Sequence, residues 1–171
     1  VVEPIFVARI MIHKRNSEAA SIEKEHRIIS FLGLVFWLLT FVVFYLIGDL
    51  IFDSFGDYSE SLKIFFILMI GRVFDLAFGV SPAIINNFGY SRLLLYNTVL
   101  ILLLNVVLNY ILIKKIGYEG VAYATSLVFI MQGVIRSFQM RKYTSIDITS
   151  YLVPASILAS LNIYFVMGWS S

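Results

Sequence analysis

Long apolar stretches without a charge, separated by short polar clusters, set the pattern of the chain. Residues 28–48 lie between Arg27 and Asp49 without a charged side chain, 93–113 lie between Arg92 and Lys114, and 148–171 carry no charge at all. Residues 121–135 form a shorter stretch that Tyr118 and Gly120 extend at one end and Phe138 at the other. A fifth stretch, 62–88, is apolar except for Lys63, Arg72 and Asp75. About 20 apolar residues in a helix cross a hydrocarbon core about 30 Å thick. The pattern therefore predicts five transmembrane helices, at 28–50, 62–88, 93–113, 118–138 and 148–168, with the end of a sixth at 5–12. Strands of a membrane barrel would be about 10 residues long and would alternate strictly. These stretches are longer and apolar on every side. The expected fold is all-α, a polytopic integral membrane helix bundle, with 1–171 as a single transmembrane domain.

Composition sharpens that reading. Of the 171 residues, 60% are hydrophobic and 14% charged, against about 45–50% and about 25% in soluble domains. So few charges could not cover a water-soluble globule of this size, which excludes a cytosolic enzyme, a nucleic-acid binder and a disordered tail. The expected surroundings are a lipid bilayer, with no nucleic acid as partner. A net charge of +2 is too small to argue for any anionic macromolecule. Without cysteine there is no disulfide scaffold, thiolate metal site or cysteine nucleophile. The chain opens on Val1-Val2-Glu3-Pro4, in an apolar run with no basic segment before it. That is not a signal peptide, and it is the expected look of a piece of a longer protein.

Short loops join the spans: a longer polar segment at 13–27, turns at 53–61 and 114–119, a tight one at 89–91 and a basic connector at 139–147. The excess of Lys and Arg on one side sets orientation. With 13–27 as a cytoplasmic loop, Arg9, Lys14, Arg15, Lys24, Arg27, Arg92, Arg136, Arg141 and Lys142 fall on the cytoplasmic side, and Lys63, Lys114 and Lys115 on the other. His13 and His26 fall in the polar segment as solvated residues, at no metal-ligand spacing. No phosphate-binding glycine loop, metalloprotease helix or nucleophile elbow occurs, so neither a metal nor a cofactor is expected and nothing argues for an enzyme.

Polar residues inside the spans are the candidate chemistry. Arg72 lies about 15 Å into its span at 1.5 Å per residue, where insertion of an arginine costs about 2.5–3.5 kcal/mol. Arg72, Asp75, Gly79, Pro82 and Asn86 recur at helical spacing on one face, while Val73, Phe74, Leu76, Phe78, Ile84 and Ile85 occupy the others. Such a face lines a water- or protein-filled interior. It reads equally as an Arg72–Asp75 pair that neutralises itself or as a ligand site made by Arg72, Asp75 and Asn86, with Gly79 and Pro82 serving helix packing. In the next span Asn105 and Asn109 continue a stripe from Ser91 and Thr98, expected to hydrogen-bond across helices. Gly120/Ala124 and Ala122/Ser126 permit close helix approach. Gln132 and Arg136 read as headgroup anchors, and Pro154 with Ser156 and Ser160 as a kink or a small-residue contact.

Taken in order, these segments resemble a known family. Pro82-Ala83-Ile84-Ile85-Asn86-Asn87-Phe88-Gly89 closes one helix. Asn105-Val106-Val107-Leu108-Asn109-Tyr110-Ile111-Leu112-Ile113 is then followed by Gly117-Tyr118-Glu119-Gly120-Val121-Ala122-Tyr123-Ala124-Thr125-Ser126. This resembles the polysaccharide flippase branch of the multidrug/oligosaccharidyl-lipid/polysaccharide exporter superfamily, which includes O-antigen and lipid II flippases. The resemblance implies a C-terminal lobe whose N-terminal lobe lies elsewhere in the same chain. It also implies a bacterial inner-membrane location and an undecaprenyl-pyrophosphate-linked glycan as substrate, moved by alternating access through a cationic cavity to which Arg72 is suited. The alternatives are a multidrug cation exporter of the same superfamily, expected to favour acidic cavity residues, and a membrane-embedded glycan polymerase or ligase, expected to carry a long external loop.

Overall fold

The computed structural model describes residues 19–54 and 59–168. The elements are α1 (Ala19–Ser54), α2 (Ser59–Phe78), α3 (Ser81–Asn87), α4 (Ser91–Ile116), α5 (Glu119–Thr144), a single 3-10 turn (Thr149–Tyr151) and α6 (Leu152–Gly168), with no strand among the described residues. Five stretches are long and apolar enough to cross a membrane: Ser21–Ile51, Ser61–Asn87, Ser91–Ile116, Glu119–Thr144 and Thr149–Gly168. The chain is an all-α, multi-pass membrane helix bundle. The expected helix end at 5–12, positions 13–18 of the expected cytoplasmic loop, and positions 55–58 of the outer turn lie outside the described residues.

Three boundaries differ from the sequence expectation. Residues 19–27 are not loop but the first turns of α1, continuous with the span. Likewise α5 runs on to Thr144, so the basic connector begins only at Ser145, which caps the helix in the left-handed conformation at φ 59°. The span expected at 62–88 is broken, with α2 ending at Phe78 and α3 starting at Ser81. Pro82 explains the break, because it has no N–H to offer the Phe78 carbonyl and its ring clashes with that carbonyl in a continuous helix. In the first turn of α3 the missing N–H costs nothing. Pro154 also lies in the first turn of its helix, where its missing N–H interrupts no intrahelical bond. Between α5 and the 3-10 turn, Asp147 accepts from the Thr149 hydroxyl at 2.6 Å and the Thr149 N–H at 3.0 Å. These bonds hold its carboxyl below the usual aspartate value.

The centre of the bundle is α2, which packs against α1, α5 and α6. Phe66, Ile67, Val73, Ala77 and Phe78 are completely covered by these neighbours. All three donate side-chain hydrogen bonds to α2 backbone carbonyls. Trp37 Nε1 of α1 donates to Met69 O at 2.8 Å, and Ser30 Oγ to Ala77 O at 2.7 Å. From α5, Ser126 Oγ donates to Ile67 O at 2.6 Å, and from α6, Asn162 Nδ2 donates to Phe66 O at 3.0 Å. A helical carbonyl keeps a lone pair free after its own i+4 bond. Each such interhelical bond contributes about 0.6–2 kcal/mol in a membrane. Ala155, Ala159, Asn162 and Val166 form the buried stripe of α6, and Phe41, Phe66 and Phe165 meet edge-on with centroids 4.8–5.9 Å apart.

Backbone contact is closest between α2 and α5. A Cβ on Gly71 would stand 2.5 Å from Ser126 Cα. On another side of α5, a Cβ on Gly120 would stand 2.5 Å from the Leu112 carbonyl carbon of α4. Gly120, Ala122, Ala124 and Ser126 are all buried. α4 buries no residue and packs chiefly on α5, with a smaller contact to α3. Its exposed Leu95, Leu102, Leu103 and Val106 present the face a helix offers to lipid.

Gly71→Ala is therefore expected to force α5 away from α2 and to lower stability by about 1–3 kcal/mol. Gly168→Ala, which meets nothing within 4 Å, is expected to be neutral. Thermal unfolding in detergent, followed by circular dichroism, measures both. An unchanged midpoint for Gly71→Ala would refute the backbone contact.

Candidate functional site

A three-membered charge cluster among the described residues, deeper in the spans than the Lys63–Glu119 pair at their ends, lies on the side of α2 turned away from its aromatic core. Phe74 and Phe78 face inward and are buried, while Arg72, on the opposite side, is 55% exposed. Arg72 Nη1 donates to Asp75 Oδ2 at 2.9 Å, one turn along α2. The second oxygen of Asp75 accepts from Arg136 Nη1 of α5 at 3.3 Å. Two guanidinium groups thus share one carboxylate. Phe129 of α5 completes the cluster, its ring lying 4.7 Å below the Arg72 guanidinium carbon. The backbone brings these groups together: a Cβ on Gly133 would stand 3.0 Å from Phe74 Cβ, so α5 lies flat on α2 just before Arg136.

Arg136 was expected at the lipid headgroups. It is instead only 15% exposed and paired with Asp75, because α5 continues to Thr144 and places Arg136 eight residues, about 12 Å, inside its end. Removing it from the loop tally leaves eight cytoplasmic-side cations against three, so the orientation argument is unchanged.

The remaining members of the expected stripe do not continue the cluster. Gly79 lies in the break after α2, exposed, with only its own Asp75 carbonyl nearby, so it packs against no neighbouring helix as expected for it. Asn86 is exposed on α3 and makes no hydrogen bond to Arg72. Pro82 is half-buried and lines a cavity of about 210 Å³ between α3, α4 and α5, together with Asn97, Thr98, Gln132, Ile135 and Arg136. The helix break is what separates these residues, since a single continuous helix would have stacked them. Asn105 and Asn109 are half-buried and hydrogen-bond to each other within α4 rather than across to a neighbour. The cross-helix amide pair is instead Asn97 with Gln139, which exchange bonds of 2.7 and 3.0 Å.

His26 was expected in solvent and is fully buried. Its Nδ1 stands 3.2 Å from Ser30 Oγ and its Nε2 3.4 Å from Ser81 Oγ, and Tyr151 covers it edge-on at 6.0 Å between centroids. Since Ser30 also donates to Ala77 O, this node ties α1 to both sides of the break. Its signal in the sequence was spacing: Ile22, His26, Ser30, Leu34, Trp37 and Phe41 fall on one helical stripe, all buried.

No protein-family model, no curated protein and no solved structure matches the chain.

The absence of cysteine permits a direct test of which face meets water. Gly79→Cys and Asn86→Cys are expected to react with a membrane-impermeant thiol reagent, and Phe74→Cys and Phe78→Cys to stay unlabelled. Val106→Cys, exposed on α4, serves as the lipid-facing control. Labelling at 79 and 86 no greater than at 106 would show that this face meets lipid and not a water-filled interior.

Proposed function

We propose that the chain moves lipid-linked oligosaccharide or polysaccharide repeat units across the bacterial inner membrane by alternating access, as the flippase resemblance implies. The observation that carries the reading is the cluster in which an accessible Arg72 and a largely buried Arg136 share Asp75. Its formal charge is +1, within the length of the spans, and the Arg72 side chain stays more than half exposed among the described residues. A cation held there at a cost of about 2.5–3.5 kcal/mol is suited to an anionic group, and a guanidinium binds pyrophosphate oxygens bidentately. Arg72 is the more accessible of the two and is the group that would take the undecaprenyl-pyrophosphate. Two lobes rocking about this face would expose it first to the cytoplasm and then to the outside. An inside-negative potential favours the outward movement of an anion by about 2.3 kcal/mol per charge per 100 mV. An excess of cation over acid in the cluster speaks against the drug-cation exporter.

The test is surface glycan display in a flippase-deficient bacterium that expresses the complete gene encoding this chain. Display is expected to return with the unaltered sequence, to vanish with Arg72→Ala despite normal membrane insertion, and to return in part with Arg72→Lys. Normal display with Arg72→Ala would remove the pyrophosphate role and leave Arg72 as a partner of Asp75 alone.

A further inference from the structure

We infer that the cavity between α3, α4 and α5 is a binding subsite for a phosphate group, with Arg136 as its charge, Gln132 as its neutral donor and Asp75 as the resident carboxylate that the phosphate displaces. The inference deepens the translocation reading and rests on it for the choice of phosphate among oxyanions.

The cavity measures about 210 Å³. Liquid water takes about 30 Å³ per molecule, so the space holds a phosphate group with part of its hydration shell. The walls differ in what they offer. Thr98 already gives its hydroxyl proton to Leu94 O at 2.9 Å, and Asn97 is engaged with Gln139 on both amide atoms. Gln132 makes no hydrogen bond among the described residues, so its amide N–H groups are unspent. Arg136 uses one guanidinium nitrogen, on Asp75 at 3.3 Å, and guanidinium carries five N–H donors in all. Gln132 and Arg136 are four residues apart on α5 and line the same cavity, a pairing of charged and neutral donors that fits an oxyanion.

Asp75 makes the exchange feasible. Its other oxygen is held by Arg72 at the shorter distance of 2.9 Å, so release from Arg136 leaves the carboxylate paired. The cluster carries one positive charge in excess, which a phosphate monoanion cancels. Asn97 and Gln132 lie about 9 and 18 Å along their helices from the cytoplasmic ends. The phosphate can therefore come from a lipid of the cytoplasmic leaflet or from solution.

The experiment titrates the purified chain in maltoside micelles with dodecyl phosphate in one arm and sodium phosphate in the other, followed by phosphorus NMR. Dodecyl phosphate is expected to saturate the unaltered chain. Arg136→Gln is expected to weaken binding about tenfold or more, since a charge-assisted bond contributes about 1.5–3 kcal/mol, and Arg136→Lys to keep part of it. Asp75→Asn, which frees both guanidinium groups, is expected to tighten binding severalfold. Lys142→Gln removes the same charge from the exposed end of α5 and is expected to change nothing. Circular dichroism reports whether each variant keeps its helices. Should Asp75→Asn fail to fold, Gln132→Leu replaces it, with binding expected to weaken. Saturation by dodecyl phosphate alone assigns the phosphate to a lipid, and saturation in both arms makes the free group sufficient. No binding in either arm, or equal binding by Arg136→Gln, overturns the subsite. So does the absence of tightening in a folded Asp75→Asn. Failure of glycan display with this binding intact would count against translocation and leave the subsite standing.

Discussion

Helices in hydrocarbon gain little by burying apolar side chains against one another, because lipid tails offer the same environment. What holds them together is close backbone approach and the hydrogen bonds that such approach allows. α2 is where this chain concentrates both. Met69, Ala77, Ile67 and Phe66 carbonyls each accept a side-chain donor, and between them they engage α1, α5 and α6, the three helices packed most extensively on α2. Gly71 lets the α5 backbone come within contact of α2 at Ser126, which is the approach that puts the Ser126 hydroxyl on Ile67 O. The packing of α1, α5 and α6 is thus specified from one helix, and α4 enters chiefly through α5 and α3.

The charge cluster depends on the same contact. Asp75 and Arg136 belong to different helices, and the span of their ion pair is fixed by Gly133 resting on Phe74 one turn earlier. Removing two charges from water costs several kcal/mol per ion after relaxation. The geometry therefore has to be held from outside the pair. Here the rigid α2–α5 seam holds it, while Arg72 keeps its own side chain more than half exposed. One arginine is anchored and one is accessible, an asymmetry that a simple charge-neutral pair along a single helix would not produce.

The spans were legible because length and freedom from charge are properties of the sequence itself. The buried faces were less so, since helices apolar all round give hydropathy no side to prefer. α4 and α6 show the problem: one buries nothing and the other buries Ala155, Ala159, Asn162 and Val166, yet both are built on charge-free apolar stretches with a few polar residues. Small residues were the better guide, and Gly120 and Ala124 are buried where close approach was expected. Of the candidate site, Arg72 and Asp75 were legible as a pair one turn apart on one helix. Arg136 was not, because charge alone cannot tell a helix interior from a helix end when the end is placed six residues too early. His26 was assigned by its polar neighbours in sequence, although its spacing to Trp37 put it on the buried stripe.

The break between α2 and α3 shows how local sequence and tertiary bonding share one cost. Pro82 inside a continuous helix would destabilise it by about 3 kcal/mol or more. Ending α2 at Phe78 avoids the clash but leaves carbonyls of its last turn without their i+4 donors, and the one at the fully buried Ala77 has no water to turn to. Ser30 satisfies one of them at Ala77, and His26 holds Ser30 on one side and Ser81 on the other. Tyr151 closes the node from the 3-10 turn before α6 and donates to Arg27 O at 3.2 Å. The interruption is therefore built from α1 and the α6 turn as much as from Pro82. It positions the cavity because α3, restarted after the break, supplies the Pro82 wall facing Gln132 and Arg136. A span that ran straight through would have had no such wall.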